Sequence, residues 1–289
     1  RLLTEFPDVP EKDDIAFQIA VSYLAQEMYT NALPLLEKIA RYTDTPDIAD
    51  ACEAWELRCY YLTEQYDAAL DALREMATKG GSPDHLILMS TIALALGDHY
   101  YDEFEYDKAL DAYRCVVRRN EMLTRQRARL HDLEQRITRL DHADTPAVSG
   151  EKERLDALVT QLTSQIEQLK GQTKFDSAWL MRMGRVLYEM DKLWEATVVF
   201  DEVRAAFPDS DITPKAVAQV IYSLSQLRLY DRTRREIDEY LSKWPAHEDA
   251  PMIGFLKAET FINQENFAAA ESCLVDLLKK YPDMPQRSR

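Results

Sequence analysis

Apolar positions along the chain recur at helical spacing. Small side chains at Ala32, Ala69, Ala109, Ala196, Thr233 and Ala270 are each followed, four and seven residues on, by large apolar ones: Leu36/Ile39, Leu73/Met76, Tyr113/Val116, Phe200/Val203, Ile237/Tyr240 and Leu274/Leu277. That spacing draws one apolar stripe along a helix. A second stripe precedes each of these, marked by pairs three residues apart: Ala20/Tyr23, Leu57/Tyr60, Gly97/Tyr100, Gly184/Leu187, Ile221/Leu224 and Ala258/Phe261. A small residue in such a pair lets two helices approach closely while its large neighbour fills the groove. No segment sustains the alternation of β-branched residues that a strand needs. The pattern predicts an all-α chain of repeated amphipathic helix pairs.

The connections recur with the helices. Inside the units, Glu27-Met28-Tyr29 corresponds to Glu64-Gln65-Tyr66, Phe104-Glu105-Tyr106, Asp191-Lys192-Leu193 and Glu265-Asn266-Phe267, and in the fifth unit Leu229-Tyr230 corresponds to Met28-Tyr29. Units end on an aromatic residue followed by proline, at Phe6-Pro7, Phe207-Pro208, Trp244-Pro245 and Tyr281-Pro282. Proline cannot continue a helix, so each pair is a stop signal. Successive units are separated by 37, 40, 87, 37 and 37 residues. Six such units in register resemble the tetratricopeptide repeat, whose usual period is about 34 residues. The resemblance implies a right-handed superhelical solenoid of helix pairs. The end of a preceding repeat is expected at 1–12, three units at 13–120 and three more at 177–289. The longer unit with its aromatic-Pro ending looks like the repeats of bacterial envelope proteins, such as outer-membrane assembly lipoproteins and the periplasmic coordinator of the Tol-Pal system. Two local departures stand out. Pro34 is expected in the first turn of its helix, and Thr233 replaces a small apolar residue, which predicts looser packing in the fifth unit.

The 87-residue interval holds an insertion at 121–172. Leu123, Leu130, Leu133, Ile137 and Leu140 form one seam, with Gln126 as its polar member, and Leu155, Val159, Leu162, Ile166 and Leu169 form a second. Two such seams joined by the breaker-rich stretch from Asp141 to Gly150 predict an antiparallel coiled-coil hairpin. The second helix of the third unit is expected to run straight into it, so that the arm projects beyond the repeats. Its ascending helix is locally cationic, with Arg125, Arg129, Arg136 and Arg139 as candidate docking residues for an acidic partner or a membrane headgroup surface. Pairing with carboxylates of the descending helix explains the same charges. The seams also leave self-association through the arm open.

Charge and composition narrow the function. The 289 residues carry a formal net charge of −16 and a pI near 4.8. A general nucleic-acid binder needs a cationic face to displace counterions, so none is expected here. No apolar run is long enough to span a bilayer. Cys52, Cys59, Cys115 and Cys273 show no metal-ligand spacing. Cys52 and Cys59 lie two turns apart on one helix and are expected to be buried free thiols. No phosphate-binding loop, zinc-protease or serine-hydrolase motif occurs, and the histidines have no matched nucleophile. No enzyme activity, metal or cofactor is expected.

The repeat family typically binds extended peptides along the first helices of its units. Carried onto this chain, that places Phe17, Trp55, Arg58, Tyr61, Asp98, Tyr101, Arg182, Arg185, Tyr188 and Tyr222 in a partner-binding groove. Aromatic residues and arginine dominate binding hot spots, and guanidinium groups suit a peptide carboxylate. Ordinary packing between repeats accounts for the same aromatic positions. The expected function is a scaffold or adaptor for a protein or peptide partner, in bacterial envelope assembly and at a periplasmic or outer-membrane-associated location. A cytoplasmic peptide-sensing module and a structural spacer docking through its arm remain alternatives.

Overall fold

The computed structural model describes residues 12–140 and 146–282. The expected repeat ending at Phe6-Pro7, residues 141–145 of the connection and the tail from Asp283 lie outside them. The fold divides into two compact units, with the boundary between Thr173 and Lys174. In the first, helix pairs α1 (Lys12–Ala25) and α2 (Tyr29–Tyr42), α3 (Pro46–Leu62) and α4 (Tyr66–Thr78), and α5 (Leu86–Asp102) and α6 (Tyr106–Arg114) are followed by α7 (Arg119–Leu140) and α8 (Pro146–Gly171). The second holds the pairs α9 (Phe175–Glu189) and α10 (Leu193–Ala206), α11 (Thr213–Gln226) and α12 (Tyr230–Lys243), and α13 (Ala250–Ile262) and α14 (Phe267–Lys280). The helix pairs follow the pattern expected from the resemblance to the tetratricopeptide repeat. Within each compact unit the second helix of a pair packs on the first helix of the next.

One turn closes all six pairs. Glu27, Glu64, Phe104, Asp191, Arg228 and Glu265 adopt left-handed backbone with φ between 57° and 62°. The following residue then donates its N–H to the carbonyl five positions back, from Met28 to Tyr23 through Asn266 to Phe261, at 2.8–3.0 Å. This bond satisfies a carbonyl that the ending helix would otherwise leave open. Left-handed backbone costs a non-glycine residue roughly 1–2 kcal/mol, so the turn is held by the helices it joins. The intervals between these six residues are those of the sequence repeat.

Close approach of the paired helices supplies the core. Residues sixteen apart face one another: a Cβ on Gly97 would lie 2.2 Å from Tyr113, and one on Gly184 would lie 2.4 Å from Phe200. Where the first-helix residue is larger, the residue sixteen positions on is aliphatic, as at Leu57 and Leu73 or Ile221 and Ile237. Tyr113, Phe200, Leu73 and Ile237 are all buried. Each such side chain contributes about 1.5–3 kcal/mol through removal from water. Bonds between successive pairs are secondary: Arg74 to Asp111 at 2.6 Å, Tyr60 to Glu37 at 2.6 Å, and Arg204 to Glu236 at 2.6 Å. Hydrogen bonds of this kind contribute about 0.5–3 kcal/mol each, and the far larger number of buried apolar side chains outweighs them.

Unit endings follow proline chemistry. Phe207, Trp244 and Tyr281 cap α10, α12 and α14 with φ near −130° (−134°, −129° and −129°), outside the helical region that a following proline disfavours. Two expectations change. Pro34 lies in the second turn of α2, where it denies the Thr30 carbonyl its helical partner. Thr233 does not loosen its unit: it is fully buried, and its hydroxyl donates to the Leu229 carbonyl at 3.0 Å.

The hairpin differs most from expectation. α6 stops at Arg114, and residues 116–118 have no regular secondary structure before α7 begins. No proline or glycine causes this break. The Val117 N–H instead donates to Ser90 Oγ of α5 at 3.2 Å, and Val116 is buried. α7 and α8 then run antiparallel, with Arg119 capping the last carbonyls of α8 (Leu169 at 2.7 Å, Lys170 at 2.6 Å) and Arg136 facing Glu151 at 3.8 Å. Leu123 and Leu133 of α7 and Leu155, Leu162, Ile166 and Leu169 of α8 are buried.

Size matching between facing residues makes a specific forecast. Gly184→Ala forces a methyl group into Phe200, an overpacking cost of about 1–3 kcal/mol that exceeds the roughly 1 kcal/mol gained in helix propensity. Urea unfolding of G184A should show the loss, and adding Phe200→Leu, which recreates the Ala20–Leu36 pairing of the first unit, should recover most of it. Equal stability of G184A and the parent would contradict the packing described.

Candidate protein-binding site

Rather than projecting away, the hairpin lies against the first helices of its own compact unit. Two arginines of α7 hold it there. Arg125 donates to the Gly80 carbonyl at 2.6 Å and also pairs with Glu121. Arg129 binds Asp84 through two bonds, Nε to Oδ1 at 3.3 Å and Nη2 to Oδ2 at 3.1 Å. Such a two-pronged, half-buried pair is directional as well as attractive. The acceptors sit in the loop between α4 and α5, where Gly80 and Gly81 both take left-handed backbone (φ 89° and 64°). Met122 packs nearby, its sulfur 3.6 Å from the Ser90 hydroxyl. Gln126 is buried with no hydrogen-bond partner among the described residues, a local cost of the packing.

A cavity of about 750 Å³ remains between hairpin and repeats. One wall comes from Phe17 of α1, from Asp47, Asp50, Trp55 and Arg58 of α3, and from the loop ending at His85. The opposite wall is Arg154, Leu158, Gln161 and Gln165, one face of α8 at spacings of four, three and four. The Arg58 guanidinium lies 5.1 Å from the centre of the Trp55 ring. A stack of this kind orients the guanidinium and contributes about 0.5–1 kcal/mol when exposed. Burial disfavours the charged form of His85 and lowers its pKa, against the opposing influence of Asp84 and Asp50.

The expected groove residues divide into three groups. Phe17, Trp55 and Arg58 meet in the cavity. Tyr61, Asp98 and Tyr101 lie toward the other ends of α3 and α5, away from the cavity lining. There the Tyr61 ring meets Tyr66 edge-on at 6.1 Å, Tyr101 meets Tyr106 at 5.7 Å, and Asp98 accepts a 2.6 Å bond from the Tyr113 hydroxyl. Arg182, Arg185, Tyr188 and Tyr222 belong to the second compact unit, on α9 and α11. In that unit Gln226 donates to the Tyr188 hydroxyl, and Arg182 reaches the Ala178 carbonyl at 3.4 Å. Of the arm residues, Arg125 and Arg129 bind the chain's own loop, Arg136 faces Glu151, and Arg139 is exposed. The sequence reading passed over Asp47, Asp50 and the α8 wall. The spacing of Arg154, Leu158, Gln161 and Gln165, beside the leucine seam, was the available signal.

On its other side α3 meets a cluster of carboxylates. Glu56 has one oxygen buried without a hydrogen-bond partner among the described residues. Burial, together with Glu37, Glu53 and Glu75, pushes its pKa up to about 7, opposed by Lys79. Lys79 itself pairs with Glu53 at 2.7 Å and Glu75 at 2.9 Å. Cys52 and Cys59 are fully buried free thiols, and burial pushes them up to about 12 and about 11. Among the described residues no group of three or more His, Cys, Asp or Glu side chains could hold a metal ion. No described helix is long and apolar enough to cross a membrane.

No protein-family model matches the chain, and no curated protein matches it. Similar solved structures include PilF of Pseudomonas aeruginosa, at TM-score 0.36 and 13% identity, covering 94% of this chain and 93% of that one. Another is BtubC from P. vanneervenii, at TM-score 0.41 and 12% identity, covering 91% and 94%. A third is a signal transduction ATPase with a tetratricopeptide repeat sensor from Pyrococcus horikoshii, at TM-score 0.33 and 13% identity, covering 98% of this chain and 45% of that one. At these scores the repeat assignment rests on the chain's own turns and packing.

Glu56 predicts a pH dependence of known sign. Between the ordinary carboxylate value of about 4.3 and its folded value of about 7, the folded state holds a proton that the unfolded chain has released. Stability therefore falls as pH rises through this window, and the penalty is complete above it. Glu56→Gln should leave stability nearly unchanged near pH 5 and raise it near pH 8, as measured by urea unfolding. The same effect at both pH values would contradict the assignment.

Proposed function

We propose that the chain is a non-catalytic scaffold that holds a protein partner by a segment bound between its first helices and its hairpin. The observation carrying this reading is the Trp55–Arg58 stack lining a 750 Å³ cavity with Phe17. Aromatic rings and guanidinium groups supply most of the energy at protein interfaces, and the cavity falls within the size range of sites that take small ligands or short segments. The hairpin is then part of the binding site, since a stack of repeats folds without one. Arg182, Arg185, Tyr188 and Tyr222 form a separate candidate surface on the second compact unit. The 37-residue units and their aromatic-Pro endings, which resemble bacterial envelope repeats, support an assembly role in that compartment.

Affinity capture from an extract of the source cells tests the reading. Three baits are compared: the intact chain, Trp55→Ala with Arg58→Glu, and Arg182→Glu with Arg185→Glu, each checked for equal helicity. A partner kept by the intact chain and lost by the first variant is the expected result. Its loss from the second variant alone would move the site to the other unit, and identical captures by all three would refute both surfaces.

A further inference from the structure

The cavity carries more information than its aromatic stack. Asp47 and Asp50 lie one turn apart near the start of α3, while Arg58 lies eight residues beyond Asp50, about 12 Å along the helix. Trp55 sits between the two charged ends. On the hairpin wall a second guanidinium, Arg154, faces the same space. None of Asp47, Asp50, Arg58 and Arg154 forms an ion pair with another described residue, although Arg129 and Asp84 beside them are paired. Two carboxylates and two guanidinium groups thus line one cavity with their charges uncommitted.

Their balance decides the ligand class. A polyanion would meet Asp47 and Asp50, and a polycation would meet Arg58 and Arg154, so neither is well accommodated. A ligand with both charges satisfies both ends. The α8 wall adds Gln161 and Gln165, whose amides donate and accept and so match the N–H and C=O groups of an extended backbone. An extended chain advances about 3.3 Å per residue, so 12 Å corresponds to three or four residues.

Resting on the reading of this cavity as a protein-binding site, we infer that its ligand is an extended peptide segment carrying one basic and one acidic side chain three or four residues apart. An apolar side chain between them packs on Trp55. The basic group faces Asp47 and Asp50, the acidic group faces Arg58, and the hairpin covers the backbone.

Selection from a displayed library of random linear peptides on the intact chain tests this inference. Parallel selections use Asp50→Asn, Arg58→Gln, Arg154→Gln and Trp55→Ala, with helicity and melting temperature recorded for each. The intact chain should enrich peptides with a basic and an acidic residue at the stated separation around an apolar one. Arg58→Gln should remove the acidic preference and Asp50→Asn the basic one, each weakening a synthetic consensus peptide about tenfold, or about 1.4 kcal/mol. Binders that depend on Trp55 but show no paired charges, or the same consensus from every charge variant, would overturn the ligand class while leaving the site. Absence of any binder that depends on Trp55 would overturn the site as well.

Discussion

Everything in this molecule depends on how closely the two helices of each pair approach. Gly97 and Gly184 leave room for the rings of Tyr113 and Phe200, and the other pairs carry aliphatic residues at the corresponding second-helix positions. That approach holds six non-glycine residues in left-handed turns that they would not adopt alone. The turns in turn fix where each following helix starts, and so which residues of α1, α3 and α5 are left for the hairpin to cover. Interiors pack too densely to deform gradually, so the spacing set inside each pair passes to the next.

The repeat was legible because its cause is local. A small residue, a turn and a large residue at constant separation are read directly from the chain, and the left-handed residues fall at the same intervals. The buried thiols Cys52 and Cys59 were legible for the same reason, as small side chains on an apolar stripe. The break after Arg114 was not. Cys115, Val116, Val117 and Arg118 contain no helix breaker, and the chain leaves the helix where the Val117 N–H meets Ser90 of another helix.

A similar division runs through the candidate site. Phe17, Trp55 and Arg58 stood out by residue type and by position on first helices. Their opposite wall did not, because the seam that joins α7 to α8 leaves open where the hairpin will lie. Its position depends on the Gly80 carbonyl and the Asp84 carboxylate, each 45 residues from the arginine that binds it. Of the arginines that read from sequence as a docking surface, Arg125 and Arg129 bind the chain's own loop. They are thus used in an internal contact, one with a backbone carbonyl and one with the single carboxylate of the loop.

The most direct measurement is the distance between the hairpin and α3 in solution. Spin labels at Asp47→Cys and Gln161→Cys, with Cys115 and Cys273 replaced by serine, report it by pulsed electron resonance. Both positions line the same cavity, so the account predicts a single narrow distribution well below the roughly 30 Å length of a 20-residue helix. Arg125→Ala with Arg129→Ala should broaden that distribution. A distribution centred beyond about 30 Å in the parent would show that the hairpin projects away, and the two-walled site would not exist.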